Sequence, residues 1–268
     1  MRLKKLAPLC AVLVLAIVAS GCGTLRALKA RDQLNKGVAA YRNAQFQTAI
    51  EHFKNAVQLD PTLLNAKLYL ATAYAQQYVP GADSESNVKT GDQAIDAFQE
   101  VLKLDPQNTT ALASIAQIYY NMKDFDKAKQ FQRRRMEVEP NNPEPYYWIG
   151  VINWAVCFQQ DGQVRKDLDL TTPNKVGVLP PLPEKYRAQL EEKNSKLIDE
   201  GLEALNKSLD LKPNDFDTMA YLNLLYRQKA DIEESKEARA ADLKTADDWQ
   251  QKAMNLRKLT PPKSSSAG

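Results

Sequence analysis

The sequence is poor in cysteine and histidine, and each shortage excludes a class of structure or site. Of its 3 cysteines, Cys10 lies in an apolar N-terminal run and Cys22 directly follows that segment, so Cys157 is the one cysteine beyond it. We therefore expect no internal disulfide in the folded part of the chain. His52 is the only histidine, which excludes a metal site built from several histidine ligands.

Motifs for catalysis are equally scarce. The 10 glycines are scattered singly, so no glycine-rich loop is available to cradle a phosphate group. His52 lies between Glu51 and Phe53 in a helical pattern, and no nucleophile motif of a hydrolase accompanies it. The sequence thus favours a protein that is not an enzyme and needs no cofactor, metal or small-molecule substrate, with catalysis as a remote alternative.

An excess of one charge is also missing from most of the chain. The net charge of +3 comes from 36 basic and 33 acidic residues, and Arg2, Lys4 and Lys5 precede the apolar run. Without that segment the chain has 33 residues of each sign. Because no basic stripe with interleaved aromatic residues is present either, we do not expect nucleic-acid binding.

What the N-terminus does contain is the pattern of a bacterial export signal. Its apolar run covers residues 6–19 and is shorter than the roughly 20 residues that a membrane-spanning helix needs. Ser20, Gly21 and Cys22 then follow, and they resemble the lipobox that is cleaved in bacterial lipoproteins just before its cysteine. An ordinary signal peptide cut elsewhere, or an uncleaved anchor, is the alternative.

The lipoprotein resemblance implies a mature protein that begins at an acylated Cys22 after removal of a signal peptide at residues 1–21. Residues 22–30 would then form a short tether between the lipid and the folded domain. Because Gly23 follows the cysteine where aspartate could stand, the resemblance also implies the outer membrane of the bacterial cell envelope, with the domain facing the periplasm.

The strongest signal in the rest of the sequence is a helical pattern that recurs. Phe46–Pro61 places apolar or small residues three and four positions apart, as on one face of a helix, and it ends at a proline. Similar segments end at Pro106, Pro140 and Pro213. The interval of 34 residues from Pro106 to Pro140 equals the period of a helix-turn-helix tetratricopeptide repeat.

Paired residues in the segments before each copy strengthen the resemblance to the tetratricopeptide family. A small residue is followed four positions later by an aromatic one in Gly37 with Tyr41 and in Gly150 with Trp154. The small residue allows two helices to approach closely. The resemblance implies an all-α solenoid of about five repeats over residues 31–260, with insertions at about 79–91 and 161–185, a capping helix over 231–259 and a disordered tail at 261–268.

The two insertions have different interpretations. Asp83, Glu85 and Asn87 alternate like calcium ligands, but positions 88 and 94 lack the glycine and glutamate that an EF-hand loop needs. The insertion at 161–185 is rich in proline. It is either a clip folded over the edge of the solenoid or a mobile arm that contacts a partner.

The family resemblance implies a binding function, because the first helices of such repeats line the concave side of the stack. Aromatic side chains interleaved with amides suit an extended peptide or a partner helix. The carboxylate clamp of chaperone-binding members is missing from its positions. The predicted groove consists of Arg31, Asn35, Arg42, Tyr69, Gln76, Gln117, Tyr120, Asn121, Tyr147, Trp148, Val151, Trp154, Tyr221 and Arg227.

Together these features predict a lipid-anchored adaptor or scaffold of the cell envelope that binds a protein partner or peptide in its concave groove. The alternative is a structural subunit of an outer-membrane assembly, or of a pilus or secretion complex. Such a subunit would use the convex face or the 161–185 arm instead of the groove.

Overall fold

The structure is a computed structural model that describes residues 7–173 and 179–259, with side chains from Gly23 onward. These residues form ten α-helices, and no β-strand occurs among them. None of the helices, within the described residues, is long and apolar enough to cross a membrane. The helices are α1 (Ala7–Arg42), α2 (Phe46–Leu59), α3 (Leu64–Ala75), α4 (Glu85–Leu104), α5 (Thr109–Asn121), α6 (Phe125–Val138), α7 (Pro143–Asp167), α8 (Glu184–Leu211), α9 (Phe216–Ile232) and α10 (Lys236–Leu259).

The chain divides into two compact units, residues 1–123 and residues 124–268. In the first unit each of the helices α1 to α5 packs against the next one along the chain. The second unit repeats this arrangement with α6 to α10, and α7 also contacts α9 directly. The all-α fold and the helix-pair organisation expected from the sequence are thereby confirmed.

Side-chain caps explain where several helices begin. The side chain of Asn108 accepts a hydrogen bond from the backbone N–H of Ala111 at 3.0 Å, and Asn142 does the same for Glu144 at 3.0 Å. Each cap satisfies an N–H group that has no partner inside the helix. Pro143 occupies the first turn of α7, where a missing N–H costs nothing.

Glycine allows close helix packing at the two positions that the repeat pattern selected. A Cβ atom on Gly150 would lie 2.3 Å from Cγ of Leu205, and one on Gly37 would lie 2.4 Å from the ring of Phe53. These glycines bring α7 against α8 and α1 against α2. The expected role of the small residue is therefore confirmed in both units.

Two segments that the sequence predicts to be irregular contain helix in the structure. Helix α1 is continuous to Arg42 and Ala30 is fully buried, so residues 23–30 belong to the packed helix and the prediction of a tether there is wrong. The predicted insertion at 79–91 ends early, because α4 begins at Glu85. Ser84 caps the start of α4 by accepting a hydrogen bond of 3.3 Å from the backbone N–H of Asn87. The buried side chain of Asn87 then ties the loop to the helix through the backbone N–H and carbonyl of Val79, at 2.8 Å each.

The insertion predicted at 161–185 is also shorter than expected. Helix α7 continues to Asp167 and α8 begins at Glu184, so the first residues of the predicted loop are helical. The polar side chains of Asp161 and Arg165 break the apolar periodicity in the sequence, yet both are buried. Residues 174–178 of the prediction lie outside the described ranges.

A buried ion cluster explains why these polar residues lie inside the helix packing. It consists of Asp161 and Arg165 on α7, Asp231 on α9 and Arg239 on α10. The Arg165 guanidinium lies 2.7 Å from Oδ2 of Asp161 and 2.9 Å from Oδ2 of Asp231. It also donates a hydrogen bond of 2.8 Å to the carbonyl oxygen of Pro180. Burial is tolerated because each charge has an oppositely charged neighbour.

The proline-rich end of the insertion is a clip. Besides the bond to Pro180, the backbone carbonyl of Leu179 accepts a hydrogen bond of 3.1 Å from Arg239. Leu182 is buried in the same core as Leu190 and Ile232. Of the two interpretations of this segment, the clip is therefore the one that the described residues 179–183 support.

A second polar network joins α6, α7 and α8. Glu200 on α8 accepts hydrogen bonds from Lys129 and Arg133 on α6 and, at 2.9 Å, from Asn153 on α7. Burial would raise the pKa of Glu200, but these donors outweigh it and lower the pKa to about 2. Beside the network lies a cleft of about 660 Å³ that is lined in part by Ile149.

The last helix differs slightly from its prediction. Helix α9 continues to Ile232 and α10 starts at Lys236, so the capping helix begins five residues later than the pattern over 231–259 suggested. Helix α10 packs along α9, and Ala246 and Ala253 on α10 are buried. The predicted tail at 261–268 lies outside the described residues.

Candidate partner-binding surface

Aromatic side chains from α7 and α9 form a continuous surface in the second unit. Tyr147, Trp154 and Phe158 are spaced seven and four residues apart, which places them on one side of α7. Tyr221 reaches them from α9, with ring centroids 5.5 Å from Tyr147 and 5.4 Å from Trp154. Trp148 completes the set at 5.7 Å from Tyr147. We call these five residues the aromatic face.

The geometry of the rings is that of favourable aromatic pairs. Tyr221 meets Tyr147 and Trp154 edge to face, at interplanar angles of 83° and 74°. Trp154 stacks on Phe158 with centroids 5.1 Å apart. Such pairs contribute about 0.5–1.5 kcal/mol each beyond the burial of their area. The aromatic face is therefore a preorganised surface, and a ligand would not have to order it.

Exposure separates the residues of this face from the core beneath it. Phe158 is 54% exposed, and the other four side chains are half-buried. Val151 was predicted to belong to the groove, but it is only 1% exposed and lies in the core. That prediction is wrong because Val151 points into the helix packing while Tyr147 and Trp154 lie at its edge.

The tyrosine hydroxyls are part of the same surface. Burial raises the pKa of Tyr221, and a hydrogen bond with Tyr147 opposes that rise. The Tyr221 phenol is therefore neutral at physiological pH, and both tyrosines carry a hydroxyl group that can form hydrogen bonds. A surface of this kind combines apolar area with hydrogen-bonding capacity, which is typical of recognition sites for peptides.

Arg227 does not join the aromatic face. Its guanidinium donates to Asn223 at 2.9 Å, and on α10 it pairs with Asp247 at 2.6 Å and donates to Gln250 at 3.2 Å. The predicted groove residue is thus committed to the contact between α9 and α10. The sequence pattern could not show this, because the partners come from a helix that follows in the chain.

The remaining predicted groove residues lie in the first unit. Tyr69 on α3 is 38% exposed and stacks on Phe53, with centroids 5.5 Å apart. Gln117 donates a hydrogen bond of 3.1 Å to Asn121, and both are partly buried on α5. The others are exposed or half-buried polar and aromatic positions, namely Arg31, Asn35 and Arg42 on α1, Gln76 at the end of α3 and Tyr120 on α5.

Phe158 is the residue that sequence reasoning missed. It follows Trp154 by four positions, so the helical spacing alone could have selected it. The repeat pattern does not select it because that pattern ends at Trp154, whereas α7 continues for more than three further turns to Asp167. The extra length of α7 therefore extends the aromatic face.

The structure also bears on ligands other than proteins. Within the described part of the chain, no group of three or more histidine, cysteine, aspartate or glutamate residues is placed to hold a metal ion. In the former calcium-loop candidate, the amide of Asn87 binds backbone carbonyls of the loop, including that of Ala82 at 2.9 Å. The side chain of Cys22, the predicted acylation site, lies outside the described side chains.

Part of the chain matches the model of a known protein family. Residues 89–148, which run from α4 into the start of α7, match the family model described as tetratricopeptide repeat. Together with the packed helices, this match supports a fold of the tetratricopeptide-repeat type. Residues 89–148 belong to the tetratricopeptide-repeat family.

Curated relatives share only part of this chain. The interferon-induced protein with tetratricopeptide repeats 2 of Cricetulus griseus is 27% identical over 117 residues, which are 44% of this chain and 22% of the relative. The protein of the same name from Mus musculus is 30% identical over 101 residues, or 38% of this chain and 19% of the relative. The matched region therefore spans about a fifth of the length of these relatives.

Solved structures match over most of the chain. A MamA fragment from Desulfovibrio magneticus RS-1 has a TM-score of 0.56 at 17% identity, covering 87% of this chain and 97% of that one. YrrB, described as a tetratricopeptide-repeat protein with an unusual peptide-binding site, has a TM-score of 0.52 at 14% identity, covering 84% and 90%. At these identities the similarity concerns the fold alone.

Proposed function

We propose that this protein is a non-enzymatic adaptor that binds a peptide or a helix of a partner protein on the aromatic face. The observation that carries the proposal is the set of contacting, partly exposed rings on α7 and α9, from Tyr147 to Phe158 with Tyr221. Aromatic residues supply large contact area with few rotatable bonds, which is why they dominate binding energy at interfaces. The peptide-binding site of YrrB, which has the same type of fold, supports the class of ligand.

We further propose that the protein is anchored by lipid at Cys22 in the bacterial cell envelope, in the outer membrane facing the periplasm. The support is the apolar run followed by Ser20, Gly21 and Cys22. Mass spectrometry of the chain isolated from membranes should find an acylated N-terminal Cys22. A Cys22→Ser variant should lose the modification and leave an unprocessed N-terminus.

Site-specific photocross-linking in the membranes of the source cells tests the adaptor proposal. A photoreactive amino acid at Phe158 should give a discrete adduct with one partner, because this side chain is already 54% exposed. The same amino acid at Lys207, on the exposed side of α8, or at Thr172 in the loop after α7 should not. Adducts from Lys207 or Thr172 without one from Phe158 would favour the structural-subunit alternative.

Affinity measurements with the identified partner then quantify the role of the face. Replacement of Phe158 by serine should weaken binding by about tenfold to a hundredfold, as for a central aromatic residue of an interface. Met254→Ser is the matched control, because Met254 is an exposed apolar residue of the same unit, 43% exposed on α10. Equal losses in both variants would contradict the assignment of the binding site.

A further inference from the structure

The first described turns of α1 present apolar side chains to solvent. Leu25 and Leu28 are 54% and 61% exposed and stand three residues apart, on one side of the helix. The other side faces the protein, since Ala27 is half-buried and Ala30 fully buried. Cys22 precedes Leu25 by the same spacing of three residues. Apolar residues on one side of a helix mark a site for contact with a membrane when basic residues accompany them.

The charge of the same stretch is of one sign. Arg26, Lys29 and Arg31 are exposed, and the first acidic residue of the whole chain is Asp32. Since the chain beyond the apolar run is neutral overall, these three charges are a local excess. Arg26 is held against the protein by a hydrogen bond of 3.4 Å to the carbonyl oxygen of Gln58. This bond attaches the basic segment of α1 to α2, against which α1 packs.

We propose that residues 23–31 of α1 bind the surface of an anionic phospholipid bilayer. Leu25 and Leu28 enter the headgroup region, while Arg26, Lys29 and Arg31 contact lipid phosphates. Exposed leucines combined with cationic residues are the features of a helix that binds at the interface of a membrane without crossing it. Each basic residue near such a surface strengthens binding about fivefold.

This inference extends the proposed function, because an acylated Cys22 would deliver the segment to the bilayer. It adds a consequence that an acyl chain alone does not have. Helix α1 is continuous to Arg42 and packs on α2 through Gly37. Contact of residues 23–31 with lipid therefore fixes the orientation of the first unit on the membrane, whereas a flexible tether would leave it free to rotate.

An environment-sensitive fluorophore can locate the segment. The full chain is isolated from membranes and reconstituted into vesicles of phosphatidylethanolamine and phosphatidylglycerol, with an environment-sensitive fluorescent amino acid in place of Leu28. This label needs no thiol, so Cys10, Cys22 and Cys157 do not compete for it. We expect a blue shift and quenching by spin-labelled lipid at position 28. The matched control has the same amino acid in place of Glu51, an exposed position on α2, and should report water.

Charge variants test the electrostatic part. Lys29→Gln should lower the ratio of bilayer-inserted to free probe about fivefold. Lys89→Gln removes the same charge from an exposed position on α4 and should change nothing. Vesicles of phosphatidylcholine alone should weaken insertion in the unmodified protein, because they lack the anionic lipid. An unchanged probe signal in Lys29→Gln and in phosphatidylcholine would overturn the assignment of these basic residues.

Flotation of the vesicles and the mass of the N-terminus distinguish this inference from the proposed anchor. Protein that floats with an acylated Cys22 while position 28 stays in water would overturn the inference and leave the anchor standing. Insertion of position 28 without acylation would support the inference and refute the anchor. Protein that does not float would overturn both. Shielding of the probe in native membranes but not in protein-free vesicles would mean that a protein covers the leucines, and would also overturn the inference.

Discussion

Removal of the buried guanidinium of Arg165 is the most informative perturbation of the second unit. The side chain is 2% exposed and contacts both Asp161 and Asp231 as well as the carbonyl oxygen of Pro180. Arg165→Met preserves much of its volume but leaves Asp161 without its cation and Asp231 with only Arg239, at 3.4 Å. Breaking a buried ion pair in this way costs about 3–5 kcal/mol of the free energy of unfolding at neutral pH.

The loss of unfolding free energy in Arg165→Met should become smaller as the pH falls. Burial raises the pKa of Asp161 and of Asp231, and Arg165 opposes that rise in both. In the variant both pKa values lie higher still. A carboxyl whose pKa is raised by folding favours the folded state at low pH, and this contribution is lost as the pH rises through the folded-state pKa. The defect of Arg165→Met should therefore shrink as the pH falls from neutral towards about 4.

Urea unfolding followed by tryptophan fluorescence is the appropriate assay. The three tryptophans, Trp148, Trp154 and Trp249, all belong to the second unit, so the signal reports on this unit alone. Lys244→Met, which removes an exposed ion pair of the same unit, is the control and should leave the transition unchanged. A defect below about 1 kcal/mol, or one that grows as the pH falls, would refute the reasoning.

Three further outcomes follow from single residues. The pKa of Glu200 is lowered from 4.5 to about 2. Its contribution to the free energy of unfolding is therefore present above about pH 4.5 and is lost as the pH falls through about 2. Glu200→Gln should lower the free energy of unfolding by about 1–3 kcal/mol at neutral pH and flatten this acid dependence in the urea assay. Gly150→Ala should destabilise the second unit by about 1–3 kcal/mol, since the new methyl group would lie 2.3 Å from Leu205, and unchanged stability would show that the side chain of Leu205 moves aside. Burial raises the pKa of the Cys157 thiol to about 12, so alkylation at neutral pH should require unfolding, and rapid labelling of the native protein would contradict the burial.

The tetratricopeptide-repeat pattern and the helices were predictable because they depend on local chemistry. The spacing of apolar residues, the capping Asn108 and the terminating prolines each act over one or two helical turns. The close approaches at Gly37 and Gly150 were predictable for a similar reason, since the repeat places the small residue at the same point of every pair. The predicted helix bounds were less accurate. The clearest case is the end of α7 at Asp167, because the buried charges of Asp161 and Arg165 resemble a solvent-exposed segment in the sequence.

The candidate site was predictable only in part. Tyr147, Trp148, Trp154 and Tyr221 were selected by helical position, and the structure brings them together. Val151 was misplaced because a small rotation about the helix axis separates a surface position from a core position. Any assignment of the face therefore depends on the packing of α7 against its neighbours.

The sequence by itself determined the helices and the repeat pattern, since these follow from periodicity and from residues that start or stop a helix. Only the tertiary structure decided which polar residues are buried and which aromatic rings meet. Arg165 depends on Asp231, and Trp154 on Tyr221, each more than 60 positions away in the chain. Such contacts are set by how helices pack, and a single sequence carries no local signal for them.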